Sequence, residues 1–147
     1  MNQPLRVLMV EDSEDDASLL LRVLRRGGYE VIYAIVDTPS AMRAALKSQE
    51  WDVITSDHAM PHFSAPKALA LAKKLRPDLP FIIVSGAIDL NLAVSLMKEG
   101  AQDYIQKKTE LPRLVPAIRR ELDEAKIRRE HQQVRDALEI SEKRYRS

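Results

Sequence analysis

Asp57 closes the run Asp52-Val53-Ile54-Thr55-Ser56 and is followed by His58, Ala59, Met60 and Pro61. Val53, Ile54 and Thr55 are β-branched and favour a strand, so the polar break at Ser56-Asp57 places a carboxylate where a buried strand ends. A lone aspartate there is ordinary turn chemistry. Other strand-like runs also end on reactive groups: Leu5 to Val10 leads into Glu11-Asp12, Phe81 to Val84 into Ser85-Gly86-Ala87, and Asp103 to Gln106 into Lys107-Lys108. Carboxylates gathered at one edge raise one another's pKa and coexist comfortably only with a cation among them. Glu11, Asp12 and Asp57 offer the hard oxygen ligands that suit Mg²⁺, which takes one or two carboxylates, a phosphate and several waters. A carboxylate can also attack phosphorus to give an aspartyl phosphate. Lys107 would then be a fixed positive charge for the phosphoryl oxygens, and Ser85 a hydroxyl donor to one of them.

Helices must lie between those runs if the groups are to meet. Leu19, Leu20, Val23 and Leu24 recur at helical spacing between the acidic cluster Glu11 to Asp16 and the break at Gly27-Gly28. Glu30 to Val36 reads as a second strand and Ala41 to Lys47 as a second helix, entered through Asp37-Thr38-Pro39-Ser40. Ser64-Ala65-Pro66 leads into a third helix with Ala68, Leu69, Leu71 and Leu75, and a fourth carries Leu92, Ala93, Leu96 and Met97 up to Gly100. Repeated strand-then-helix units with such short connections imply a parallel α/β sheet wound by right-handed crossovers. In such folds ligands bind beyond the carboxyl ends of the strands. Periodicity leaves the strand order open, with 2-1-3-4-5 one of the possibilities.

The 147 residues fit one domain with something to spare. The chain has no cysteine, which removes disulfides, thiolate catalysis and Cys-ligated zinc. A formal net charge of +1 does not advertise a nucleic-acid surface. No stretch approaches a membrane span and the N-terminus lacks a signal-peptide pattern, so a cytoplasmic location with no membrane contact is expected.

In their order these motifs resemble the receiver domains of two-component response regulators, over roughly the first 120 residues: Glu11-Asp12, Asp57 with Met60-Pro61 behind it, Ser85-Gly86-Ala87, and Asp103-Tyr104-Ile105-Gln106-Lys107. The resemblance implies a flavodoxin-like (βα)5 domain of strand order 2-1-3-4-5 that takes a phosphoryl group onto Asp57 from a histidine kinase or phosphotransfer protein. It implies Mg²⁺ held by Glu11, Asp12, Asp57 and the backbone carbonyl of Ala59. It further implies that Tyr104 is a switch aromatic, turning inward when Ser85 moves to the phosphoryl group. Lys108 and Ala65 depart from the family pattern, standing where many receivers carry proline and glycine. His58 and His62 read as loop residues, since Mg²⁺ prefers oxygen. Trp51, the single tryptophan, is a candidate optical reporter of the site.

Residues 1–122 account for the receiver, and residues 123–147 continue as a charged helical segment without Gly or Pro. Ile127, Val134 and Ser141 recur every seven residues, as do His131, Leu138 and Tyr145, a thin heptad seam. The expected reading is an extended C-terminal signalling helix that forms a homodimer and leads to a downstream domain, with Ala137 to Ser147 resembling the linker into a PAS domain. Two rivals stand beside the phosphoacceptor reading: a pseudo-receiver that binds partners and never takes phosphate, and a Mg²⁺-dependent hydrolase, for which only His58 or His62 could supply a general base.

Overall fold

The central strands form because the side chains of short apolar runs alternate between two buried faces, while the edge strands are only partly covered. The computed structural model describes residues 2–58, 60–86 and 89–146. Strands β1 (Gln3–Val10), β2 (Tyr29–Val36), β3 (Val53–Ser56), β4 (Phe81–Ser85) and β5 (Asp103–Gln106) alternate with helices α1 (Glu14–Arg26), α2 (Pro39–Ser48), α3 (Ala65–Leu75), α4 (Leu90–Lys98) and α5 (Leu114–Arg146). All strand pairs are parallel and the sheet order is β2-β1-β3-β4-β5, which settles the one topological question that the residue pattern left open.

The alternation divides the core in two. Leu8, Val10, Ile54, Phe81 and Ile83 face α2, α3 and α4 through Met42, Leu46, Leu69 and Leu96. Val7, Met9, Val53, Ile82 and Val84 face α1 and α5 through Leu20, Leu24, Leu114 and Ile118. With both faces covered, the sheet leaves its strand ends as the places where polar groups can gather.

Helix entries follow local chemistry. Ser13, Thr38 and Asp89 each accept a hydrogen bond from the backbone N–H three residues on, at 3.2, 3.1 and 2.7 Å. Ala65 causes no disturbance before α3, since Ser64 takes the N-cap position and Pro66 falls in the first turn. At the far end of α1, Gly27 lies so close to α5 that an added Cβ would stand 2.6 Å from Cγ2 of Val115. The fifth helix is preceded by a 3-10 turn at Leu111–Arg113 and runs for 33 residues. Among the described residues its buried side chains fall in the first turns: Leu114, Ala117, Ile118 and Glu121. Beyond them Ile127, Val134, Leu138 and Ile140 are all exposed. The side chain of Tyr145, assigned to the same seam, lies outside the described residues.

Trp51 sits just ahead of β3, at the edge of the sheet where strands begin, with its indole N–H donating to the Ala45 carbonyl at 2.9 Å. Arg6 and Asp52 pair beside it through two side-chain hydrogen bonds of 3.3 and 3.0 Å. The expectation of an optical reporter is therefore corrected: the indole is a strand's length from the carboxylates.

Candidate functional site

Register brings the reactive groups together. Val10 is level with Ser56, Ser56 with Ile83, and Ser85 with Gln106, so the residues that follow emerge along one rim. Three backbone bonds fix that rim: Glu11 N–H donates to the Val36 carbonyl at 2.9 Å, Asp57 N–H to that of Val10 at 2.9 Å, and Lys107 N–H to that of Ser85 at 3.2 Å.

At the rim's centre, the Lys107 ammonium reaches Glu11 Oε2 at 2.6 Å, Asp16 Oδ2 at 2.9 Å and Asp57 Oδ2 at 3.3 Å. Its three N–H groups match those three acceptors. The remaining oxygens take backbone donors. Glu11 Oε1 accepts from the N–H groups of Asp12 and Ser13 at 3.1 and 3.2 Å, and Asp57 Oδ1 accepts from that of His58 at 2.7 Å. Burial pushes the Glu11 carboxyl up to about 7, with the Asp57 charge adding to the rise and Lys107 opposing it. For Lys107 burial pulls downward, yet its hydrogen bonds to Glu11 and Asp16 prevail and its pKa is raised.

Glu11, Asp12 and Asp57 each present a carboxylate oxygen, and the three lie within 4.8 Å of one another. Glu11 and Asp57 are buried while Asp12 is exposed, so the trio is open on one side. An all-oxygen donor set with an open side fits a small hard cation that keeps part of its water shell. The fourth expected ligand, the carbonyl of Ala59, lies outside the described residues. The cleft above has a volume of about 530 Å³ and is lined by Asp12, Asp16, Leu19, Asp57, Gly86, Lys107 and Lys108.

Ser85 is fully buried at the end of β4. Tyr104 is half-buried on β5 and lines a groove of about 430 Å³ with Leu90, Val94 and Met97 of α4. Among the described histidines beside the acceptor, His62 is exposed, and His58 is half-buried with its Nδ1 lacking a hydrogen-bond partner. In the sequence Asp16 is one of the acidic residues that open α1. An acidic residue in a helix's first turn is sufficiently explained by the helix dipole, and nothing in its spacing announces a contact 91 positions away.

The family model for the response regulator receiver domain matches residues 7–119. The DNA-binding transcriptional regulator NtrC of Rhizobium meliloti (strain 1021) is 30% identical over 122 residues, which cover 83% of this chain and 25% of that protein. The chain thus spans about a quarter of the length of this curated relative. A response regulator receiver domain protein from Clostridium thermocellum has a crystal structure that aligns with a TM-score of 0.72 and 28% identity, covering 84% of this chain and 98% of that one. The solution structure of the beryllofluoride-activated NtrC4 receiver domain dimer aligns with a TM-score of 0.72 and 27% identity, covering 82% of this chain and 98% of that one. Carboxylates and lysine on one rim, sheet order and family match agree, and the chain belongs to the response regulator receiver domain family.

Proposed function

We infer that this chain is a phosphoacceptor switch of a two-component phosphorelay: Asp57 receives a phosphoryl group from a histidine kinase or phosphotransfer protein in the cytoplasm. The observation that carries this is Asp57 itself, buried between two other carboxylates and within 3.3 Å of the Lys107 ammonium. In the transfer, an Asp57 carboxylate oxygen bonds to phosphorus as the bond from phosphorus to the donor's imidazole nitrogen breaks, leaving an acyl phosphate on the protein and a free imidazole on the donor. Mg²⁺, when bound, supplies charge neutralisation for the phosphoryl oxygens; Glu11, Asp12 and Asp57 are the side chains that would hold it. Lys107 stabilises the same oxygens from the other side, and the Ser85 hydroxyl donates to one of them. Tyr104 then repacks against the α4 face, carrying the change outward.

Downstream, α5 transmits the state of the site to a following domain, with PAS the expected type, and pairs with α5 of a second copy. Support comes from the uncovered apolar side chains Ile127, Val134 and Leu138 and from the dimeric state named for the NtrC4 receiver domain. The DNA binding in the name of the Rhizobium relative belongs to a protein of which this chain spans a quarter. We assign this segment contacts with kinase and downstream domain and no direct contact with nucleic acid.

Acetyl phosphate with Mg²⁺ tests the phosphoacceptor directly. Intact-mass spectrometry should show one phosphoryl adduct on the unaltered chain and none on Asp57→Asn. An equal adduct on the variant, or none on either chain, would replace this function with that of a pseudo-receiver.

A further inference from the structure

We propose that Asp16 is a positioning residue for Lys107, holding its ammonium in the pocket when Glu11 and Asp57 turn their oxygens to a cation and a phosphoryl group. This rests on the phosphoacceptor reading of the pocket and adds to it a residue and a role. Lys107 has three carboxylate partners. Two of them, Glu11 and Asp57, belong to the trio placed to hold a metal ion; Asp16 does not. When Glu11 gives its oxygens to a dication, Lys107 loses its 2.6 Å partner and meets a positive charge where a negative one had been. Until a phosphoryl group arrives to hold it, an ammonium with no other anchor would compete with the cation for the same oxygens or leave the pocket along its open side. The Asp16 contact of 2.9 Å supplies that anchor.

The placement suits the task. Asp16 lies in the first turn of α1, and its backbone N–H is tied to Ser13 Oγ at 3.2 Å, so its carboxylate projects from a capped helix end. Its side chain is 42% exposed whereas that of Lys107 is 9% exposed, so Asp16 grips the ammonium from the solvent side of the cleft. Outer groups that orient the inner ones of a metal site commonly change metal affinity by 10–100-fold when removed.

A thermodynamic cycle on Asp16 and Lys107, read by calorimetric Mg²⁺ titration of the full chain, tests this assignment. Asp15 is the control: it shares the first turn of α1, is exposed and has no place among Lys107's partners. Asp15→Asn therefore reproduces the loss of charge and of helix-dipole compensation. Asp16→Asn should weaken Mg²⁺ binding by about tenfold and Asp15→Asn by less than about threefold, with Asp16→Glu restoring most of the loss. In a Lys107→Met background, Asp16→Asn should cost no more than Asp15→Asn does, because there is no ammonium left to hold. Thermal unfolding of each variant checks that all are folded. Equal effects of Asp15→Asn and Asp16→Asn, or an Asp16→Asn effect that persists at full size without Lys107, would overturn the assignment while leaving the phosphoacceptor intact. Failure of the unaltered chain to bind Mg²⁺ would overturn both.

Discussion

Glu11 couples the resting site to pH. Its carboxyl titrates near 7 in the folded chain against 4.5 as a free group, chiefly because burial penalises the charge. The folded state therefore binds the proton more tightly than the unfolded state does. That contribution to stability is fully present below pH 4.5 and is lost as pH rises through about 7. Without Mg²⁺, Glu11→Gln should thus match the unaltered chain at pH 4 or below and exceed it near pH 8, by on the order of 1 kcal/mol or more, in urea unfolding. Mg²⁺ affinity should move the opposite way, because a proton on Glu11 competes with the cation: it should climb steeply up to pH 7 and level off above. A flat profile for the unaltered chain across that range would place Glu11 outside the metal's reach.

At the scale of elements, the joint between α1 and α5 is unusually close. Gly27 leaves no room for a side chain against Val115, and its carbonyl accepts from Arg119 Nη2 at 2.9 Å. Gly27→Ala should force the two helices apart and lower stability by about 1–3 kcal/mol, the usual cost of overpacking, in chemical denaturation. Val115→Ala in the same chain should recover part of that loss by vacating the space.

How much was legible differs by element. Strands β1, β3 and β4 and the groups at their ends could be read directly, because a buried parallel strand needs a short apolar run and a polar residue that stops it marks the rim. The four reactive stops, Glu11, Asp57, Ser85 and Lys107, needed no knowledge of pairing to be recognised as a set. Strand order did need such knowledge, since alternation gives each strand two faces and names neither neighbour. Trp51 and Asp16 were illegible for a related reason: which end of the sheet a loop occupies, and which distant lysine a helix-opening acid meets, are consequences of packing across the chain.

At the scale of the molecule, Glu121 is the last buried residue of α5 among the described residues. Its Oε2 atom is buried with no hydrogen-bond partner, and burial raises its pKa. Leu122 and Ala125 are still half-buried; beyond them the exposed apolar positions suit a weak parallel pairing rather than a tight coiled coil. Sedimentation should therefore find the full chain in a concentration-dependent dimer with Kd in the micromolar range or looser, about −8 kcal/mol at 1 μM. The chain cut after Leu122 should be monomeric and should still accept phosphate at Asp57. A truncated chain that dimerises equally would move the interface to the α4 and β5 side.

The length of α5 also sets a mechanical ratio. From Asp123 to Arg146 the helix extends about 36 Å at 1.5 Å per residue. It is continuous with the turns clamped by Leu114 and Ile118. Repacking that tilts those turns by about 10° would sweep the far end through roughly 6 Å, the rise of about one helical turn. The helix is a lever whose short arm lies in the core, and a shift of about 1 Å beside Ile118 would arrive at its tip as a step large enough to change which side chains meet across a pair.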